Sequence, residues 1–150
     1  MDRKADKPAT PSIWFAVVPL ALAFAACAVP WMWAHQPAFA FALQRGFSLL
    51  CHQHADRSFV LLGGSVAVCA RCLGIYLGAS VGLVLRVPRH LARRVLLAAI
   101  SINAIDSLVE LTGLHGNWMW LRFGLGFALG AAGALLVASS SPSHQLATDH

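Results

Sequence analysis

Residues 13–34 of this chain contain no charged side chain. As a helix rising 1.5 Å per residue, a run of that length crosses a hydrocarbon core ~30 Å thick. Three further stretches share the property in weaker form. They are residues 70–86 with Arg71 near the start, residues 95–114 with Asn103, Asp106 and Glu110, and residues 119–138 with Arg122. Hydrophobic residues make up 58% of the 150 and charged ones 11%, and the mean hydropathy is +0.67. A soluble domain averages roughly 45–50% apolar and about 25% charged. So few charges cannot cover a globular surface, which excludes a soluble enzyme. Four cysteines are too few for a disulfide-rich secreted scaffold. The expectation is an all-α integral membrane protein, a four-helix bundle within residues 1–138. A long, partly ordered first extracytoplasmic loop joins the first two spans, and residues 139–150 form a polar tail.

The first span has a basic lead (Arg3, Lys4, Lys7) and the string Ala25-Ala26-Cys27, as a cleaved signal peptide would. It nevertheless stays apolar past Cys27 through Trp31 and Trp33, so it reads as a retained helix, kinked at Pro19 and ending in an interfacial aromatic belt. Lys and Arg concentrate in the N-terminal segment and in the loop with Arg86, Arg89, Arg93 and Arg94. The positive-inside rule then puts both termini in the cytoplasm, with the first loop facing out. The expected location is the inner membrane of a bacterium, with the lipid bilayer as partner. The net charge of +5 follows from that topology. No basic stripe interleaved with aromatics points to nucleic acid. Gly74, Gly78 and Gly82, and likewise Gly126 and Gly130, recur at four-residue spacing. Such ridges let helix backbones approach closely, either within the chain or in a homo-oligomer.

Three of the four cysteines and two of the seven histidines fall between residues 51 and 72. Gly63-Gly64 between two short apolar strings fits a two-residue turn, which would fold Cys51–Arg57 back towards Cys69–Cys72. Cys-x-x-Cys is the commonest half of a tetrahedral zinc site. Cys51, Cys69 and Cys72 with His52, or His54 in its place, make a closed site of three thiolates and one imidazole, for zinc or less readily iron. The same pair at a helix start beside Arg71 also suits low-pKa thiols that exchange disulfides. A plain structural disulfide is the third reading. Tyr76 reads as an aromatic at the helix mouth.

Cys51-His52-Gln53, Arg57-Ser58-Phe59 and Cys69-x-Arg71-Cys72-x-Gly74-Ile75-Tyr76-x-Gly78 together resemble the hallmark of a family of small, uncharacterised prokaryotic membrane proteins, grouped as a domain of unknown function. The resemblance covers residues 47–130 and extends to Asp106, Arg122, Gly126 and Gly130. Glu110 departs from it, standing where the family more often has an amide. The resemblance implies a shared site without naming a reaction. The outline is also similar to quinone-linked disulfide-forming membrane proteins, with an outward Cys-x-x-Cys opening the second of four helices. Their second cysteine pair has no counterpart here.

Asn103, Asp106 and Glu110 recur at helical spacing and line one face. Ionisable groups in a bilayer turn inward and find partners. Glu110 and Arg122 lie at matching depth on either side of a short connection, so they are expected to pair. Asp106 is expected deeper, with no cation at its level, as a neutral hydrogen-bonded acid or part of a polar path. The leading expectation is therefore a zinc-binding membrane protein with an extracytoplasmic Cys/His site, structural or linked to ion movement. The competitors are a thiol–disulfide oxidoreductase using Cys69 and Cys72 with Cys51, with quinone as acceptor, and a non-catalytic assembly subunit.

Overall fold

The computed structural model describes residues 13–85, 87–112 and 118–139, and most of these are helical. Arg3, Lys4, Lys7, Arg86, residues 113–117 of the short connection and residues 140–150 of the tail lie outside the described residues. Five α-helices are present: α1 (Ile13–His35), α2 (Pro37–Ser48), α3 (Ala70–Val84), α4 (Arg89–Leu111) and α5 (Met119–Ser139). Four of them fall on the expected spans. The third begins six residues before the expected start at 95, because Arg89, Leu91, Ala92, Arg93 and Arg94 are all strong helix formers.

The helix not anticipated is α2, which occupies the first loop. Pro37 opens it at a position where the missing N–H costs nothing. Ala40 and Phe47 are buried, while Phe39 and Phe41 stay exposed, and the helix packs along α1. The indole of Trp33 donates to the side-chain oxygen of Gln44 at 3.1 Å, which fastens the corner between the two helices.

Beyond a 3-10 turn at Ala55–Arg57 comes a minimal antiparallel hairpin, β1 (Val60–Leu61) and β2 (Gly64–Ser65), in register Val60↔Ser65 and Leu61↔Gly64. The turn falls on Leu62-Gly63 rather than on Gly63-Gly64. Both turn residues have positive φ, +51° and +81°, as the tight hairpin turn that follows strand twist requires. Gly64 instead lies against Pro30, where a Cβ would come within 3.1 Å of the proline ring.

Pro30 has a second effect. It has no N–H for the carbonyl of Ala26, one turn earlier in α1. The N–H of Ala67 takes that carbonyl instead, at 3.2 Å. The segment Val66-Ala67-Val68 is thereby threaded against α1 and buried. The hydrophobic core sits at this junction, built from Ala23, Ala26 and Val29 of α1, Phe47 of α2, Val66–Val68 and Leu73 of α3.

α3 lies along α5, with α1 against α3 and α4 against α5. The glycine ridges make the first contact possible. A Cβ on Gly74, Gly78 or Gly82 would overlap backbone of Phe123, Phe127 or Ala131, and one on Gly126 or Gly130 would overlap the carbonyl of Arg71 or Ile75. The ridges are thus occupied within the chain. By length and composition α1 and α5 can cross a bilayer. The fifteen residues of α3 rise only ~22 Å, short of a full ~30 Å crossing.

Candidate metal centre

Three elements deliver the three thiols. α2 delivers Cys51: past the helix end, the N–H of Cys51 donates to Phe47 at 2.9 Å, continuing the last turn. Cys69 caps α3 with extended backbone, and Cys72 lies in the first turn. The Cys69 N–H donates to the Cys51 sulfur at 3.2 Å. The result is a compact group in which the three sulfurs all lie within 4.8 Å of one another, with Cys51 buried and the others half-buried. Cys27 is half-buried in α1 and does not join it.

One thiol of the three is already poised as thiolate. The Cys72 thiol donates to Cys69, and with support from backbone N–H groups and the Cys51 thiol it brings Cys69 down from 9.0 to about 5, against burial that pushes the other way.

The sulfurs border a cavity of about 360 Å³ that His52, Gln53, His54, Arg57, Arg71, Glu110 and Arg122 also line. His52 and His54 are exposed, with parallel rings 6.2 Å apart. Neither imidazole falls within the tight sulfur group, so the two histidines line the cavity and do not complete a four-ligand cluster. Gln53 adopts positive φ, +50°, and its side-chain amide donates to the Gln44 carbonyl at 2.7 Å, tying this stretch to α2.

The polar face of α4 reaches the cavity through Glu110. Asn103 and Asp106 are buried there, and Glu110 is half-buried. Glu110 meets Arg122 as expected, at 2.8 Å, and the same oxygen takes Arg57 at 2.9 Å. The expectation of no cation level with Asp106 is overturned: Arg71 pairs with it and also donates to Ser107 at 3.1 Å. Arg71 opens α3, and an arginine side chain reaches well beyond its own Cα along the helix. Asn103 reaches across to α5. Its amide donates to Ala99 and, on that helix, to Leu125 at 3.0 Å.

The sequence reading singled out the three cysteines that converge, the two histidines that line the cavity outside the sulfur group, and the Glu110–Arg122 pair; it set Arg71 beside the thiols without its partner Asp106 and gave Arg57 no role. The signal for Arg71 was present in its place between the two cysteines. For Arg57 it lay in the hairpin, whose return brings that segment back over α4.

A family model described as "Predicted membrane protein (DUF2085)" matches residues 51–136. The chain belongs to this family. The matched region opens at Cys51 and contains every cavity residue from that point on, while α1 and α2 lie before it. An uncharacterized protein of Methanocaldococcus jannaschii is 37% identical over 94 residues, covering 56% of this chain and 58% of that protein. An uncharacterized protein of Methanothermobacter thermautotrophicus is 35% identical over 95 residues, covering 60% of this chain and 86% of the relative. The chain thus spans a little under three fifths of the first relative and most of the second. No solved structure matches it.

Proposed function

We propose that this protein binds one metal ion, zinc first and iron second, through Cys51, Cys69 and Cys72 at the extracytoplasmic end of a four-span bundle. The observation that carries the reading is the convergence of the three sulfurs within 4.8 Å. Tetrahedral zinc with Zn–S bonds of ~2.3 Å holds its sulfurs ~3.8 Å apart, so a closure of at most about an ångström would bring the three sulfurs to that spacing. The Cys69 thiolate supplies a ligand at neutral pH without first losing a proton. The fourth position faces the cavity, where His52, or His54 in its place, can close it. Such a metal would staple α2, the hairpin segment and α3 together. Asp106 and Glu110 are both committed to arginines, which favours a structural network over an ion path along α4.

In this reading α1, α3, α4 and α5 are the spans of a protein in the cytoplasmic membrane. Arg89, Arg93 and Arg94 at the start of α4 share the inner side with the basic N-terminal segment, and the cysteines lie at the other end.

Thiol–disulfide exchange is the second reading, favoured by the thiolate at Cys69 beside the Cys72 thiol. Cys69 would attack a partner disulfide, Cys72 would resolve the mixed disulfide, and the pair would pass two electrons to that partner. A quinone would be the acceptor in the reverse, dithiol-oxidising direction.

Metal content per chain, read with free-thiol count on protein purified anaerobically in detergent, separates the two. About one zinc or iron per chain, lost in Cys51→Ser, Cys69→Ser and Cys72→Ser and lowered in His52→Ala, is the expected result. No metal, together with a reducible Cys69–Cys72 disulfide, would overturn the metal reading and favour exchange.

A further inference from the structure

The cavity beside the sulfurs carries more hydrogen-bond donors than the protein supplies acceptors. Arg57, Arg71 and Arg122 all line it, and Glu110 is the one carboxylate among its described lining residues. Each guanidinium offers five N–H groups in a fixed fork. Their acceptors are few: Asp106 and Ser107 for Arg71, a single oxygen of Glu110 shared by Arg57 and Arg122, and exposed Asp56 at 3.5 Å from Arg57. Arg122 is only 6% exposed and still lines the cavity, where its forked N–H groups share one Glu110 oxygen with Arg57. Buried donors on a charged group are costly unless something accepts from them. Thiol sulfur is a weak acceptor and does not satisfy a planar fork.

We propose that this cavity binds a small carboxylate or oxoanion, held by Arg57, Arg71 and Arg122 next to the cysteine cluster. An anion's oxygens match the guanidinium forks. His52, Gln53 and His54 also line the cavity and add donors that would orient the anion. A volume of about 360 Å³ equals roughly a dozen waters at ~30 Å³ each, which suits a compact anion. Arg57 is the adjustable member, since it comes from the loop and keeps 40% of its side-chain surface, whereas Arg122 keeps 7%. The inference goes beyond the metal reading and holds with or without a bound ion.

Equilibrium dialysis tests it, with full-length protein in detergent and radiolabelled phosphate, sulfate and acetate as separate probes. Each is run on protein as purified and after chelation, with metal content measured in parallel. The expected result is saturable binding of at least one probe, near one per chain. Arg57→Gln should weaken it about tenfold or more, the effect of losing one charge-assisted contact. Arg122→Gln should do the same, while Arg45→Gln, outside this cavity, should leave it unchanged. Arg57→Gln should also keep its metal, which separates this inference from the metal reading. Absence of saturable binding by all three anions up to about 10 mM, or binding that Arg57→Gln leaves untouched, would overturn the proposal.

Discussion

Arg71, between the two cysteines that open α3, pairs with buried Asp106 on α4. Among the described residues α3 and α4 meet chiefly through α5, so this ion pair is a direct strut between them beneath the thiols. It also disposes of a bare carboxylate inside the bundle, which would cost at least a few kcal/mol.

Removing one partner should therefore hurt more than removing both. Breaking a buried pair costs ~3–5 kcal/mol because a charge is stranded. Arg71 keeps 27% of its side-chain surface, so Asp106→Ala should fall near the low end, about 3 kcal/mol. Arg71→Met combined with Asp106→Leu should recover most of it. Reversible unfolding in detergent, arranged as a double-mutant cycle, measures both. An Asp106→Ala protein as stable as the parent would show that the pair is not a strut.

The glycines of α3 and α5 separate into two classes with opposite expected signs. At Gly78 a Cβ would overlap the carbonyl of Phe127, and backbone cannot move aside as a side chain can. Gly78→Ala should destabilise by about 1–3 kcal/mol. At Gly124 no atom lies within 4 Å of the added Cβ, and Gly124→Ala should stabilise by roughly 0.5–1 kcal/mol through helix propensity. Thermal melts of the two variants check the contrast. Equal effects would mean that the ridge does not set the α3–α5 distance.

With its pKa at about 5, Cys69 should react as a thiolate across the neutral range. On chelated protein, its alkylation by iodoacetamide should rise through pH ~5 and level off above, whereas an ordinary thiol rises towards pH ~8.5. The folded pKa lies below the unfolded one, so the thiolate's contribution to stability is full above the unfolded value. It drains away as pH falls towards about 5. Cys72→Ala removes the first donor and should move the midpoint upward. Peptide-resolved mass spectrometry reads Cys69 apart from the other cysteines, and an unchanged midpoint in Cys72→Ala would refute the assignment.

Much of this was legible in the chain. Apolar runs marked four of the helices, four-residue glycine spacing marked ridges that the structure fills by packing α3 on α5, and Cys51, Cys69 and Cys72 stood close enough in sequence to be expected together. α2 was hidden because Phe39 and Phe41 alternate with alanines, a strand-like period that masks the helical face of Ala40 and Phe47. Pro37 followed by Ala, Leu, Gln and Arg was the available signal. The arginine wall was hidden for another reason: depth counted in residues locates a Cα, while Arg71 acts where its guanidinium ends.

Pro30→Ala should loosen the centre from a distance. Alanine restores the N–H that the Ala26 carbonyl lacks, so helix α1 competes with Ala67 for one acceptor. α1 itself should gain from the better helix former, and global stability should change little. The amide of Ala67 should nevertheless lose hydrogen-exchange protection, and the segment it anchors runs directly into Cys69. Cys51 and Cys69 should then alkylate faster on chelated protein, while amides in α4 keep their protection. Hydrogen exchange resolved by peptide, run beside thiol labelling, gives both readings on one sample. Faster exchange throughout the chain would point to general destabilisation and dismiss the swap of partners at Ala26. Unchanged protection at Ala67 would mean that the carbonyl is shared without competition.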